Sequence, residues 1–269
     1  MVALDLLFAA LLYAVPGVGG TEFVVTAFGA VGDATPTQPG TNNTAAVRKA
    51  AAAVAAAGGG TLVFPAGNYS TGAFNLSSNM VLRLEHDAVV SGIQPHSLAT
   101  APYDYPVVPW LGTGGANAYG GASDFQGKMG PQYQSFVHGF QLTNVTIEGP
   151  GTIWGGGDFW WAAWAGHGNQ AKGQSRLNIS RPHTVHLVEV DGLTIRGISI
   201  RRSPSWTLHL TFCSDVLVDS IRVRTNDSDT AFAPANADGI DIDSCRDVTV
   251  RNSSFFTHDD GIALKSGKD

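Results

Sequence analysis

From about residue 184 onward, apolar and polar positions alternate in short runs of Val, Ile and Leu, each closed by Asn, Asp, Gly or Ser. The ten residues starting at Asp191 align with the ten from Ser214 and the ten from Arg246, steps of 23 and 32 residues. The longer step carries an inserted loop around Thr225 to Pro234, and an earlier copy covers Leu142 to Gly149. A period in the twenties without helical periodicity predicts a solenoid of stacked strands. The spaced leucines of a leucine-rich repeat are missing, so the pattern fits an all-β fold, a right-handed single-stranded parallel β-helix. Equivalent residues of successive rungs then stack about 4.8 Å apart. Cys213 and Cys245 share a rung position and are expected to be stacked neighbours, with a disulfide between them left open.

The front of the chain reads differently. An extended segment is expected from Glu22 to Gly29, followed by a polar loop. Thr44 stands as N-cap of a helix through Ala45–Ala57, and Gly58, Gly59 and Gly60 stop it. Val47, Ala51 and Val54 share one helical face, so this helix can cap the first end of the solenoid. Thr61 to Phe64 then reads as a strand and Pro65 to Asn68 as a turn.

Composition narrows the class. Of 269 residues, 43% are hydrophobic and 14% charged, which suits a packed core and not a disordered chain. Net charge is −6 and no basic block occurs, which argues against nucleic acid as a partner. Residues 1–20 read as a signal peptide, apolar from Leu6 to Val15, with a β-helix domain expected over 21–269. That domain is expected to be truncated at its C-terminal end, because a strand-like run stops at Lys268-Asp269 with no cap. Asn42, Asn68, Asn75, Asn144, Asn178, Asn226 and Asn252 each begin an Asn-x-Ser/Thr triplet, in keeping with a secreted, extracellular protein that needs no membrane once processed. Two cysteines make neither a disulfide framework nor a zinc site, and no cofactor is indicated.

Candidate chemistry gathers in the last two rungs. Aligning Gly239-Ile240 with Gly261-Ile262 stacks Asp238 beside Asp260, with Asp259 next to them. Like charges this close raise one another's pKa, and one protonated and one ionised carboxyl is what glycoside hydrolysis needs. The competing reading is that aspartates merely end β-helix strands by forming local turns. It accounts for Asp241, Asp243 and Asp247, and less well for an Asp-Asp pair stacked on a third. Trp154, Trp160, Trp161 and Trp164 either stack on sugar rings or pack a long loop against the solenoid, the second being preferred. His209 reads as a structural histidine, and Gly166-His167-Gly168 as a loop.

The run from Arg202-Ser203-Pro204-Ser205-Trp206, through Asn236-Ala237-Asp238-Gly239-Ile240-Asp241, to Asp259-Asp260-Gly261 and Lys265-Ser266-Gly267 resembles glycoside hydrolase family 28, the polygalacturonases. Phe28 to Asp33, Gly58 to Gly67 and Gly155 to Trp161 extend the resemblance to the front. It implies inverting hydrolysis of α-1,4-galacturonosyl linkages in pectin. Asp259 would be the general acid, and Asp238 and Asp260 would hold and activate the water. Asn236 and Lys265 are the expected substrate-binding residues, Lys265 meeting a galacturonate carboxylate, whereas Lys268 reads as a solvated turn lysine. Ala237 departs from the Thr usual in that family, His258 from its Gly, and the family's later Gly-His-Gly and Arg-x-Lys motifs do not follow Asp260. The resemblance thus implies a pectic polysaccharide of the cell wall as substrate, and a capped solenoid is expected to act as a monomer. The rival readings are a calcium-aided β-helix lyase and a non-catalytic pectin-binding β-helix.

Overall fold

The computed structural model describes residues 20–35, 38–97, 99–108, 132–165, 181–225 and 231–265. The expected signal peptide, the Gly166–Gly168 loop, Lys268 and the sequons at Asn178 and Asn226 lie outside them. Among the described residues, eleven strands form one parallel sheet and six form a second, the architecture of a parallel β-helix. The aligned repeats pair residue for residue: Thr143 with Asp191, Asp191 with Ser214, and Ser214 with Arg246. No helix among the described residues is long and apolar enough to cross a membrane.

Register follows from corners that recur in four successive rungs. Gln141, Glu189, Phe212 and Ser244 all have positive φ, as do Asn144, Gly192, Asp215 and Asp247 three residues on, and Gly149, Gly197, Ser220 and Asn252 after those. For a side-chain-bearing residue that conformation costs about 1–2 kcal/mol. The turn it makes lets each rung hydrogen-bond to the next, and Phe212, the bulkiest, also donates its N–H to Asp243 O at 2.9 Å and packs near Phe140 and Val188. With corners aligned, inward side chains form columns. Leu187, Leu210 and Ile242 make one, and Ile153, Ile200, Val223 and Phe255 another. Along one edge Arg83, Glu148, Arg196, Asp219 and Arg251 are successive register partners of alternating sign, with Arg83–Glu148 at 3.0 Å and Arg251–Asp219 at 2.8 Å.

The front departs from expectation in detail. Extended backbone stops at Val24, and Val25–Phe28 is a 3₁₀ turn closed by Gly29. The helix runs Thr44–Ala56 with Asn43, not Thr44, at the cap position. The Thr44 hydroxyl is spent elsewhere, accepting the Gly72 N–H at 2.8 Å, while Asn42 Oδ1 accepts the Thr44 N–H at 2.9 Å. At the other end Gly58 N–H bonds Ala55 O and Gly59 N–H bonds Val54 O, with Gly58 at φ 76°, a Schellman stop. Val47, Ala50, Ala51 and Val54 are buried against the first rungs, so the helix caps the solenoid as expected. A strand resumes already at Gly67, which shortens the expected turn. The tryptophan segment is not a loop but a helix, Gly157–Ala165. Trp160 and Trp161 are buried in it, which supports the packing role. Cys213 and Cys245 are neighbours as expected, and both are free thiols. Each donates to a carbonyl, of Leu187 and Leu210 respectively, and the Cys213 N–H donates to Cys245 Sγ at 3.3 Å.

The columns predict where stability resides. Leu210→Ala opens a void between Leu187 and Ile242 and is expected to lower the unfolding free energy by about 2–5 kcal/mol. Urea denaturation measures this, and a change below about 1 kcal/mol would contradict the packing described.

Candidate active site

The strand Ile240–Asp243 alternates sides. Ile240 and Ile242 enter the core, so Asp241 and Asp243 face outward. The outward column containing Asp241 runs His138, His186, His209, Asp241 and Ala263 through five rungs. Outward here does not mean exposed: His138, His186, His209 and Asp241 are all buried. His186 and His209 stack with centroids 4.4 Å apart and 6° between planes. His183 stacks on Trp206 and meets His209 edge-on at 5.0 Å. Thr211 Oγ1 lies 3.1 Å from His209 Nε2 and 3.4 Å from His186 Nε2, serving both rings. His209 is therefore structural, as expected, but belongs to a cluster of four imidazoles.

Above this cluster the three expected aspartates converge. Thr207 N–H bonds Asp238 O and Gly239 N–H bonds Asp260 O, which puts Asp238 and Asp260 on adjacent rungs. The glycine after Asp238 is needed for that closeness, since a Cβ at Gly239 would collide with Gly261 O and Phe255. Asp238, Asp259 and Asp260 each bring a carboxylate oxygen within 4.8 Å of the others. Asp238 is buried, whereas Asp259 and Asp260 open to solvent. That spacing admits a water held by three carboxylates, or a hard cation.

Arg181 holds the loop that presents Asp238. Its guanidinium is buried and donates to Pro204 O, to Ala235 O and to Asn236 Oδ1 at 2.8, 2.9 and 2.9 Å. Asn236, expected to bind substrate, thus already spends its carbonyl oxygen on Arg181, and its φ of 56° makes it the corner before Asp238. Lys265 Nζ lies 3.1 Å from Asp241 Oδ1 and 4.4 Å from the centroid of the Trp206 ring. One expectation needs correction here. Asp241 is not a turn residue at a strand end but a fully buried member of the site, because the outer face of its strand is covered. Arg181, His183, His186 and Trp206 were not singled out for this site from the sequence. The recurrence of His at 138, 186 and 209 in the aligned strands is the signal that could have found the column.

Burial dominates the electrostatics. Desolvation and then the Asp259 charge push the Asp238 carboxyl up to about 6, with Lys265 pulling the other way. Desolvation and then Asp238 push Asp241 up to about 8, again opposed by Lys265. Desolvation also lowers the Arg181 guanidinium to about 9, against the pull of Asp238. Burial holds His138 down to about 4 and keeps His183, His186 and His209 below their ordinary value. A patch with one readily protonated carboxyl beside solvent-open ones can both give and take a proton.

Comparison with known proteins bears on the family and the fold. The family described as glycosyl hydrolases family 28 matches residues 116–269. A probable polygalacturonase from Vitis vinifera is 32% identical over 212 residues, covering 77% of this chain and 37% of that protein. A polygalacturonase from Saccharomyces cerevisiae is 27% identical over 162 residues, 58% of this chain and 40% of that protein. The chain therefore spans well under half the length of these relatives. A hyperthermoactive exopolygalacturonase from Thermotoga maritima superposes with a TM-score of 0.71 at 24% identity, over 94% of this chain and 56% of that one. At that identity the superposition supports the fold alone, a parallel β-helix.

The imidazole cluster sets a pH dependence of stability. Unfolded histidines take up protons below about 6.5, whereas the buried ones resist. Their contribution is therefore complete above that value and lost as pH falls, each by about 1.4 kcal/mol per pH unit. Asp238 and Asp241 act oppositely, since their raised carboxyls keep protons that the unfolded chain has released. Unfolding free energy is expected to fall from pH 6.5 to 5, and His186→Gln to flatten that slope by about one proton. An unchanged slope in the variant would show that His186 titrates normally.

Proposed function

Matched over residues 116–269, the chain belongs to glycosyl hydrolases family 28, and we propose that it hydrolyses α-1,4-galacturonosyl linkages in pectin or polygalacturonate by an inverting, aspartate-based mechanism. The observation that carries this reading is the convergence of Asp238, Asp259 and Asp260 within 4.8 Å. Asp259, open to solvent, gives its proton to the glycosidic oxygen as the bond to the anomeric carbon breaks. A water between Asp238 and Asp260 attacks that carbon from the opposite face, and its proton passes to the pair. Lys265 meets the sugar carboxylate, and Asn236 keeps only its amide nitrogen for substrate.

The spacing favours a second reading on one point. Inverting carboxyl pairs commonly stand about 6.5–9.5 Å apart, and retaining pairs about 5–5.5 Å. Oxygens within 4.8 Å suit direct attack by one carboxylate on the sugar. Three carboxyls on one patch offset that argument, because two of them can hold the water at short range while the third acts as acid. The exposed sequons at Asn42, Asn75, Asn144 and Asn252 support a secreted glycoprotein, and a pectic substrate would put its work in the cell wall. Asn68 is a poorer acceptor, being half-buried where these four are exposed.

Asp259→Asn in the full chain is expected to lower reducing-end release from polygalacturonate by about a thousandfold, with the fold intact by circular dichroism. Retained release would remove the hydrolase assignment of that residue. Proton NMR of the first product distinguishes the stereochemistry: a β-anomer shows inversion, an α-anomer retention. Unsaturated products absorbing in the ultraviolet, lost with a chelator, would instead establish a calcium-aided lyase.

A further inference from the structure

Asp241, Lys265 and Trp206 form a group that the proton transfers above do not use. Ala263 occupies the column position above Asp241, and Lys265, two residues on along the same strand, faces the same outer side. The small methyl leaves the Asp241 carboxyl open to the Lys265 ammonium, 3.1 Å away. On another side the ammonium stands 4.4 Å from the centroid of the Trp206 ring, within cation–π range. Asp241 is fully buried while the lysine side chain is 32% exposed, so the pair is anchored inside and opens outward. The ammonium also acts electrostatically on Asp238, which places it beside the three-aspartate patch.

A buried carboxyl is a costly anchor. An apolar residue of similar size would pack the wall with less desolvation. What Asp241 adds is direction: a lysine stem has four rotatable bonds, and a fixed partner removes that freedom before a ligand arrives. Burial keeps Asp241 largely protonated near neutral pH, so the pair retains the positive charge of the ammonium.

We propose that Asp241 is a positioning residue, holding the Lys265 ammonium against Trp206 so that it selects sugars bearing a carboxylate over their neutral counterparts. The inference rests on the galacturonan reading of the site, and binding separates the two because it needs no turnover. In the Asp259→Asn protein, calorimetric titration with trigalacturonate and with α-1,4-linked galactotriose is expected to favour the acid by about tenfold or more. Lys265→Met is expected to erase that preference, weakening trigalacturonate binding by about tenfold or more relative to galactotriose binding. Asp241→Ala reduces it severalfold, and Asp241→Asn, which keeps an oxygen for the ammonium, restores it. The proposal is overturned if the preference survives Lys265→Met, if Asp241→Ala weakens both sugars equally, or if neither sugar binds. Should Asp241→Ala fail to fold, Asp241→Leu, which fills the buried position without an oxygen for the ammonium, takes its place, and an undiminished preference in it would overturn the proposal. Reducing-end release by the wild-type chain is read separately, so hydrolysis can stand when this positioning role fails.

Discussion

Everything in this molecule depends on keeping successive rungs in register. Parallel strands satisfy their backbone groups only through the rung before and the rung after, so a slip of one residue would turn every inward column outward. The positive-φ corners prevent it by turning each rung at equivalent points. Loop length between rungs is then free to vary, which is how an insertion at 225–234 leaves the Ser214–Arg246 pairing untouched.

The same constraint builds the site. Register puts His138, His186, His209 and Asp241 in one line and Asp238 beside Asp260. Gly239 permits the last approach, since any side chain there would strike the neighbouring rung. No single rung contains the site; Arg181, Trp206, Asp238, Asp241, Asp259 and Lys265 come from successive turns. A solenoid can therefore assemble a dense polar constellation from residues far apart in sequence, provided that each wall is straight.

That constellation is expensive. Four imidazoles and two carboxyls are desolvated, and several of their polar atoms, among them Asp238 Oδ1 and the Nδ1 atoms of His183, His186 and His209, have no hydrogen-bond partner among the described residues. Apolar columns, the capping helix Thr44–Ala56 and the alternating Arg–Glu–Arg–Asp–Arg edge offset this cost elsewhere in the wall. Local frustration in a stable scaffold is the arrangement expected of a reactive site.

Much of this could be read from the chain by itself. Repeats spaced 23 and 32 residues apart determined the solenoid, the core columns and the stacking of Asp238 on Asp260. These are local patterns repeated, and a parallel wall converts repetition directly into contact. Glycines at 58 to 60 and the apolar face of the alanine-rich helix likewise determined the cap, although the exact cap residue depended on Gly72, a partner from another turn. Tertiary structure alone decided which outward residues are buried. Alternation along Ile240–Asp243 shows that Asp241 faces out, but not that Lys265 and the imidazole cluster enclose it. Lys265 and the imidazoles stand on register-partner strands, but how far their side chains and those of other turns close over Asp241 is a property of the assembled wall, so the raised carboxyls of Asp238 and Asp241 and the grip of Arg181 exist only in the folded chain.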